Sequence, residues 1–142
     1  MPGSGKKFDV SLVTPDGAVY EGQAEMIIVP GQIGEIGVLA RHAPLIATLK
    51  AGRTRIHLGD NAEVLEFATG PGFFQVLHDR AIALVDDAVD AQHIDDARAR
   101  QQLEQAQAEL AAIDSGESGA DRWQIEQRIR HAENQLAVSG RG

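Results

Sequence analysis

The chain reads as an α+β protein, an N-terminal antiparallel β-sandwich over residues 1–86 followed by a C-terminal antiparallel two-helix hairpin over residues 87–142. Three observations predict this. Apolar residues recur with a period of two as far as Val85, as on a half-buried strand. After Asp90 the spacing changes to three and four, as on one face of a helix. A polar stretch with two glycines, Ser115-Gly116-Glu117-Ser118-Gly119, then divides the helical pattern in two.

The first strand signal is Phe8, Val10 and Leu12 alternating with Asp9, Ser11 and Val13, and Pro15-Asp16-Gly17 closes it with turn chemistry. Further strand-like runs lie at Glu25 to Val29, Leu45 to Leu49, Thr54 to Leu58, Glu63 to Ala68, Phe73 to Leu77 and Ala81 to Val85. Gly59-Asp60-Asn61 and His78-Asp79 supply turns between them. Many short strands without intervening helices indicate a sandwich or barrel rather than a parallel α/β sheet. Ala99, Leu103, Ala106, Leu110 and Ile113 then form the stripe of a first helix, and Ile125, Ile129, Ala132 and Leu136 that of a second. Two facing stripes joined by a short polar linker make an antiparallel pair. Its seam holds few large side chains, so it is marginal alone and suited to two docked states.

Composition narrows the function classes. The formal net charge is −8 and aromatic residues make up 4%, so the basic face and stacking rings of a nucleic-acid binder are missing. With no cysteine there is no disulfide framework and no thiolate metal site. No apolar run approaches the ~20 residues of a membrane span, so direct membrane insertion is not expected. Charge is uneven. From Asp86 to Asp114 there are eight acidic and two basic residues, whereas from Asp121 onward Arg122, Arg128, Arg130 and Arg141 outnumber Asp121, Glu126 and Glu133.

Chemistry-bearing constellations are sparse. Gly31, Gly34 and Gly37 resemble a phosphate loop in spacing, but Val38-Leu39-Ala40-Arg41-His42-Ala43-Pro44 follows where a helix start is needed, so they read as backbone turns. Glu35 and His42 fall in the same expected loop region without a nucleophile or a further metal ligand. His57, His78, His93 and His131 are scattered singly. Trp123 and Tyr20 do not form the aromatic or paired-acid cleft of a sandwich enzyme or carbohydrate-binding module. No catalytic site is legible. In Ile94-Asp95-Asp96-Ala97-Arg98-Ala99, spacing favours Asp95 as a helix N-cap with Arg98 solvated, and recognition of a nucleotide by Asp95 and Arg98 is the sharper alternative.

Thr14-Pro15 through Tyr20-Glu21-Gly22, Pro30-Gly31 to Gly34-Glu35-Ile36-Gly37, His42-Ala43-Pro44-Leu45, Thr69-Gly70-Pro71-Gly72 and Ile94-Asp95-Asp96-Ala97-Arg98-Ala99 together resemble, in order, the epsilon subunit of bacterial F-type ATP synthases. Asn134-Gln135-Leu136-Ala137-Val138 is similar to the end of that family's last helix. The start of the chain lacks an Arg- and Ser-rich transit segment, which favours a bacterial origin, a plastid-encoded one also being compatible.

The resemblance implies a non-catalytic rotor subunit of the central stalk, bound to the gamma subunit and the ring of c subunits, peripheral on the cytoplasmic face of the bacterial cell membrane. It implies that Gly31 to Pro44 faces the c ring, with Glu35 and His42 as candidate contacts. It further implies that the hairpin can extend into the catalytic alpha/beta head and inhibit ATP hydrolysis, with Arg122, Arg128 and Arg130 offering a basic surface to an acidic patch there. Some members bind ATP through the motif that contains Asp95 and Arg98, together with arginines of the last helix. Here Gln105 of the first helix and His131 and Gln135 of the second stand where nucleotide-binding members carry arginine, so no cofactor is required and ATP is expected to be at most a weak regulatory ligand. An ATP-sensing module whose hairpin folds on the nucleotide is the alternative.

Overall fold

A computed structural model describes residues 6–59, 63–114, 116 and 121–139. It divides into two compact units, Met1–Asp90 and Ala91–Gly142. Ten strands build the first: β1 (Phe8–Thr14), β2 (Gly17–Ala24), β3 (Met26–Gly31), β4 (Gly34–Leu39), β5 (Leu45–Leu49), β6 (Gly52–His57), β7 (Val64–Thr69), β8 (Gly72–Leu77), β9 (Arg80–Val85) and β10 (Ala88–Asp90). The expected alternation places Phe8, Val10 and Leu12 inward, each 2% exposed or less.

Among the described residues, hydrogen-bonded neighbours run β10-β7-β6-β3-β5-β8-β9-β1-β2, with β4 paired to β3 off this path. This path narrows to one residue pair, Gly31 with Leu49, between β3 and β5. On either side of that link lie two sheets, one formed by β10, β7, β6, β3 and β4, the other by β5, β8, β9, β1 and β2. Their inner faces share a core that includes Phe74, Leu12, Ile27, Leu49, Ile56 and Val38, all fully buried. Thr54 and Thr69 are also buried there, and their hydroxyls satisfy each other at 2.9 Å.

Three strands escape the pattern read from sequence. β2, β4 and β10 lie outside the expected strand runs, and Gly34 to Leu39 falls within the region expected to be a loop. Gly34 and Gly37 dilute the alternation of β4, yet Ile27 pairs with Val38 and Val29 with Ile36 in continuous antiparallel register. One pairing departs from the antiparallel rule: β1 and β9 run parallel, from Asp9 with Arg80 to Val13 with Leu84. Strands joined by a tight hairpin must be antiparallel, but these two are separated by most of the domain and are free to pair either way. Gly72 is required by close approach, because a Cβ there would collide with the Leu84 backbone carbonyl across the β8–β9 ladder.

The second unit begins with a short 3₁₀ turn at Ala91–His93 and holds α1 (Asp96–Asp114) and α2 (Arg122–Ser139), packed on each other. Asp95 caps α1 as expected, its Oδ1 accepting the Arg98 amide at 3.1 Å and its carbonyl the Ala99 amide at 2.9 Å. Gly116, at φ 82°, donates to the Ile113 carbonyl and stops the helix. Asp121 caps α2 through the Trp123 amide at 2.9 Å. The most buried seam residues include Ala99, Ala106 and Ala132 beside Ile125 and Val138, whereas Leu103, Leu110, Ile113, Ile129 and Leu136 are half-buried. Asp60 and Asn61 of the expected turn, and Ser115, Glu117, Ser118 and Gly119 of the expected linker, lie outside the described residues.

Candidate functional site

The two sheets of the sandwich differ in what they show to the outside. On the first, the outward positions of β6 and β7 include ion-paired charges, beside a row in which Leu39, Met26, His57 and Val64 align: Arg53 lies 3.8 Å from Glu66, and Arg55 Nη2 donates to both carboxylate oxygens of Glu35 at 2.9 and 3.0 Å. Such a face is content in water. On the second, apolar residues outnumber polar ones at the outward positions. Ladder register aligns Thr48, Phe73, Leu84 and Val13 in one row, and Ile46, Gln75, Ile82 and Ser11 in the next. Ile46 is 77% exposed, Phe73 61% and Leu84 51%. A contiguous apolar patch of this kind on a sheet face marks a protein contact.

The β3–β4 hairpin ends in Gln32 and Ile33, and Ile33 is wholly exposed. A branched apolar side chain contradicts the polar or glycine residues that turns prefer. The tip is nevertheless well held. The Gln32 amide donates to the Thr48 carbonyl at 3.1 Å, and the Lys50 amide to Pro30 at 3.0 Å. Gly31 is needed because a Cβ there would press on the Gly34 carbonyl and the Ile36 side chain.

Glu35 and His42, expected in one loop, are separated. Glu35 stands at the start of β4, and His42 lies beyond its end. At ~3.4 Å per residue, the four steps from Glu35 to Leu39 span about 14 Å of β4. His42 is exposed, with Nδ1 2.6 Å from the Ala43 carbonyl, a contact that needs the proton on Nδ1. Beside it Arg41 adopts a left-handed backbone, φ 65°, and its amide donates to Asp79 Oδ1 at 2.5 Å. His78 and Asp79 form the β8–β9 turn, also left-handed at φ 51° and 56°.

In the second unit Asp95 caps α1 from just before it and Arg98 sits in its first turn, both exposed. Ser139 Oγ hydrogen-bonds Asp96 Oδ1, tying the end of α2 to the start of α1. His131 and Gln135 contact each other through their side chains at 2.6 Å. The three arginines of α2 are unequal: Arg122 is ion-paired with Asp114, Arg128 meets Glu109 at 2.8 Å, and Arg130 is exposed. Among the described residues, no group of three or more His, Asp or Glu side chains is placed to hold a metal.

Residues 7–91 match the family model described as ATP synthase, Delta/Epsilon chain, beta-sandwich domain. The chain belongs to the ATP synthase delta/epsilon family. Proteins named ATP synthase epsilon chain are similar to it over most of their length. That of Rubrobacter xylanophilus is 35% identical, covering 99% of this chain and 97% of its own. That of Halalkalibacterium halodurans is 37% identical over 93% and 96%. Among solved structures, a chain in the Euglena gracilis mitochondrial ATP synthase (OSCP/F1/c-ring) shares the fold with a TM-score of 0.75 and 22% identity, covering 96% of this chain and 85% of its own. A chain of the Tetrahymena thermophila mitochondrial ATP synthase central stalk and c ring aligns with a TM-score of 0.58 at 15% identity, over 95% and 98%. No helix among the described residues is long and apolar enough to cross a membrane.

Sequence reasoning missed the outward row of the delta/epsilon sandwich, although a signal was there. Phe73-Phe74 and Leu84-Val85 place large apolar residues at successive strand positions, and successive positions face opposite sides, so one of each pair must point outward. Tyr20 plays a structural part instead. Its hydroxyl donates to the Gln23 carbonyl at 2.8 Å, and burial raises its pKa above the ordinary tyrosine value.

Proposed function

We propose that this chain is a non-catalytic central-stalk subunit of a proton-translocating F-type ATP synthase, peripheral on the cytoplasmic side of the membrane. In this reading it links the catalytic head to the c ring and restrains ATP hydrolysis through α1 and α2. The observation that carries the reading is the apolar outer face around Phe73 and Leu84, in a chain whose relatives are named ATP synthase epsilon chain. That face is the docking surface for the gamma subunit, since it would otherwise leave large side chains in water. The tip at Ile33, with Glu35 beside it, is the part directed to the c ring. His42, at the far end of β4, serves a separate contact. Co-expression with the gamma subunit of the same complex tests this: the two proteins are expected to co-purify in equal amounts. Recovery of gamma without this chain would overturn the assignment.

A second reading, ATP sensing by the hairpin, draws on one observation. The Asp95 cap leaves the Arg98 side chain exposed on the first turn of α1. Against it, His131 and Gln135 engage each other and supply no permanent cation to a phosphate chain. Calorimetric titration of the full chain with ATP is expected to give a Kd of about 1 mM or weaker, near −4 kcal/mol. Micromolar binding lost in Arg98→Ala would promote the sensor reading.

A further inference from the structure

The hairpin places two charges against the grain, one at the end of α1 and one at the start of α2. Asp114 is the last residue of α1, where free carbonyls repel an anion, and Arg122 is the first of α2, where free amides repel a cation. No basic residue in the last turn of α1 and no acidic residue in the first turn of α2 offsets this. Asp121, just before α2, caps it through the Trp123 amide and partly offsets Arg122, so Asp114 is the less compensated of the two. The two misplaced charges are reconciled with each other by the Arg122–Asp114 ion pair, and further along the same seam Arg128 Nη2 meets Glu109 Oε2. From Gln101 to Asp114 helix α1 carries Glu104, Glu109 and Asp114 and no base. Local choices that contradict local propensity are retained where function supplies the compensation.

We propose that the closed hairpin is a self-masked docking surface, in which Glu109 and Asp114 of α1 stand in for an acidic protein surface and occupy Arg122 and Arg128 until the helices part. The proposal rests on the reading of the tail as an inhibitor of the catalytic head. The partner it fits is an anionic face of that head, and the chain's own α1 is the competitor for the same two guanidinium groups. Arg130, left exposed by the hairpin, is the arginine available for first encounter. All four paired side chains are about half exposed, between 48% and 55%, so each pair is weak and the mask biases the equilibrium rather than locking it. Removing both pairs should shift opening about two- to tenfold.

The test uses the full chain with Glu109→Gln and Asp114→Asn together, which keep shape and delete charge. In the isolated protein, backbone amide exchange across α2 is expected to quicken about two- to tenfold. In the assembled complex, ATP hydrolysis is expected to fall below that of the unaltered complex, because the freed arginines engage the head more often. Unchanged exchange overturns the proposal whatever the hydrolysis rate. Faster exchange with unchanged or raised hydrolysis also overturns it, and a complex lacking residues 92–142 then separates the causes. If that complex hydrolyses faster than the unaltered one, the inhibitory reading stands and only the mask is wrong; if it does not, the inhibitory reading itself has failed.

Discussion

Replacing Phe73 and Leu84 together with aspartate is expected to weaken binding to the gamma subunit about 100- to 1,000-fold. Both side chains are more than half exposed in the free chain and adjoin across the β8–β9 ladder, so they satisfy the description of a central anchor pair. Burying an aromatic and a leucine against a partner is worth about 1.5–3 kcal/mol each. Placing two carboxylates there adds a desolvation cost. Because neither residue belongs to the inner core, the isolated double variant should lose only about 1 kcal/mol per site in chemical denaturation, the span of strand propensity. Titration of gamma against both forms, beside their denaturation curves, is the measurement. Equal affinity in a folded variant would remove this face from the interface and return the assignment to the charged sheet around Arg55 and Glu35.

Deleting residues 92–142 is expected to raise ATP hydrolysis by the assembled complex about two- to tenfold while gamma binding is retained. That range corresponds to an inhibitory state populated from about half to nine-tenths of the time. The seam between α1 and α2 makes such populations reachable. Its best-buried residues include Ala99, Ala106 and Ala132, which contribute little apolar area, so closed and open arrangements differ by a small free energy. Retention of gamma follows from the sandwich having its own core within Met1–Asp90. Changing Arg122, Arg128 and Arg130 to alanine in the full chain should reproduce most of the increase. Equal hydrolysis in all three complexes, with the chain present in each, would leave only a linking role.

The division into sandwich and hairpin was legible because each half obeys one period over many residues. Phe8, Val10 and Leu12 mark a strand without help from the rest of the fold, and so do Ile125, Ile129 and Ala132 for a helix. Strand β4 was not legible. Its pattern is interrupted by Gly34 and Gly37, and what makes it a strand is the ladder to β3, a partner that local sequence does not specify. The same limit explains the site residues. Asp95 was readable as a cap because capping is local. That Glu35 is held by Arg55, that His42 lies at the other end of β4, and that Arg122 and Arg128 face Asp114 and Glu109 all depend on register between separate elements. Exposure of Phe73 needed only the parity argument for neighbouring strand positions, but which of Phe73 and Phe74 points inward is decided by the sheet on the other side of the core.

The parallel pairing of β1 with β9 has a consequence for synthesis. Val13 pairs with Leu84, 71 positions later in the chain. At about 5–20 residues per second the ribosome delivers that partner about 4–14 s after Val13 itself. Through that interval β1 has only β2 beside it, and an isolated two-stranded hairpin is marginal in water. Phe8, Val10 and Leu12, among the most deeply buried side chains of the finished protein, are therefore exposed on the nascent chain for seconds. So non-local a contact also slows the final closure of the domain. An early strand waits for a late one to seat it, and the emerging chain is most prone to aggregate before β9 has left the ribosome.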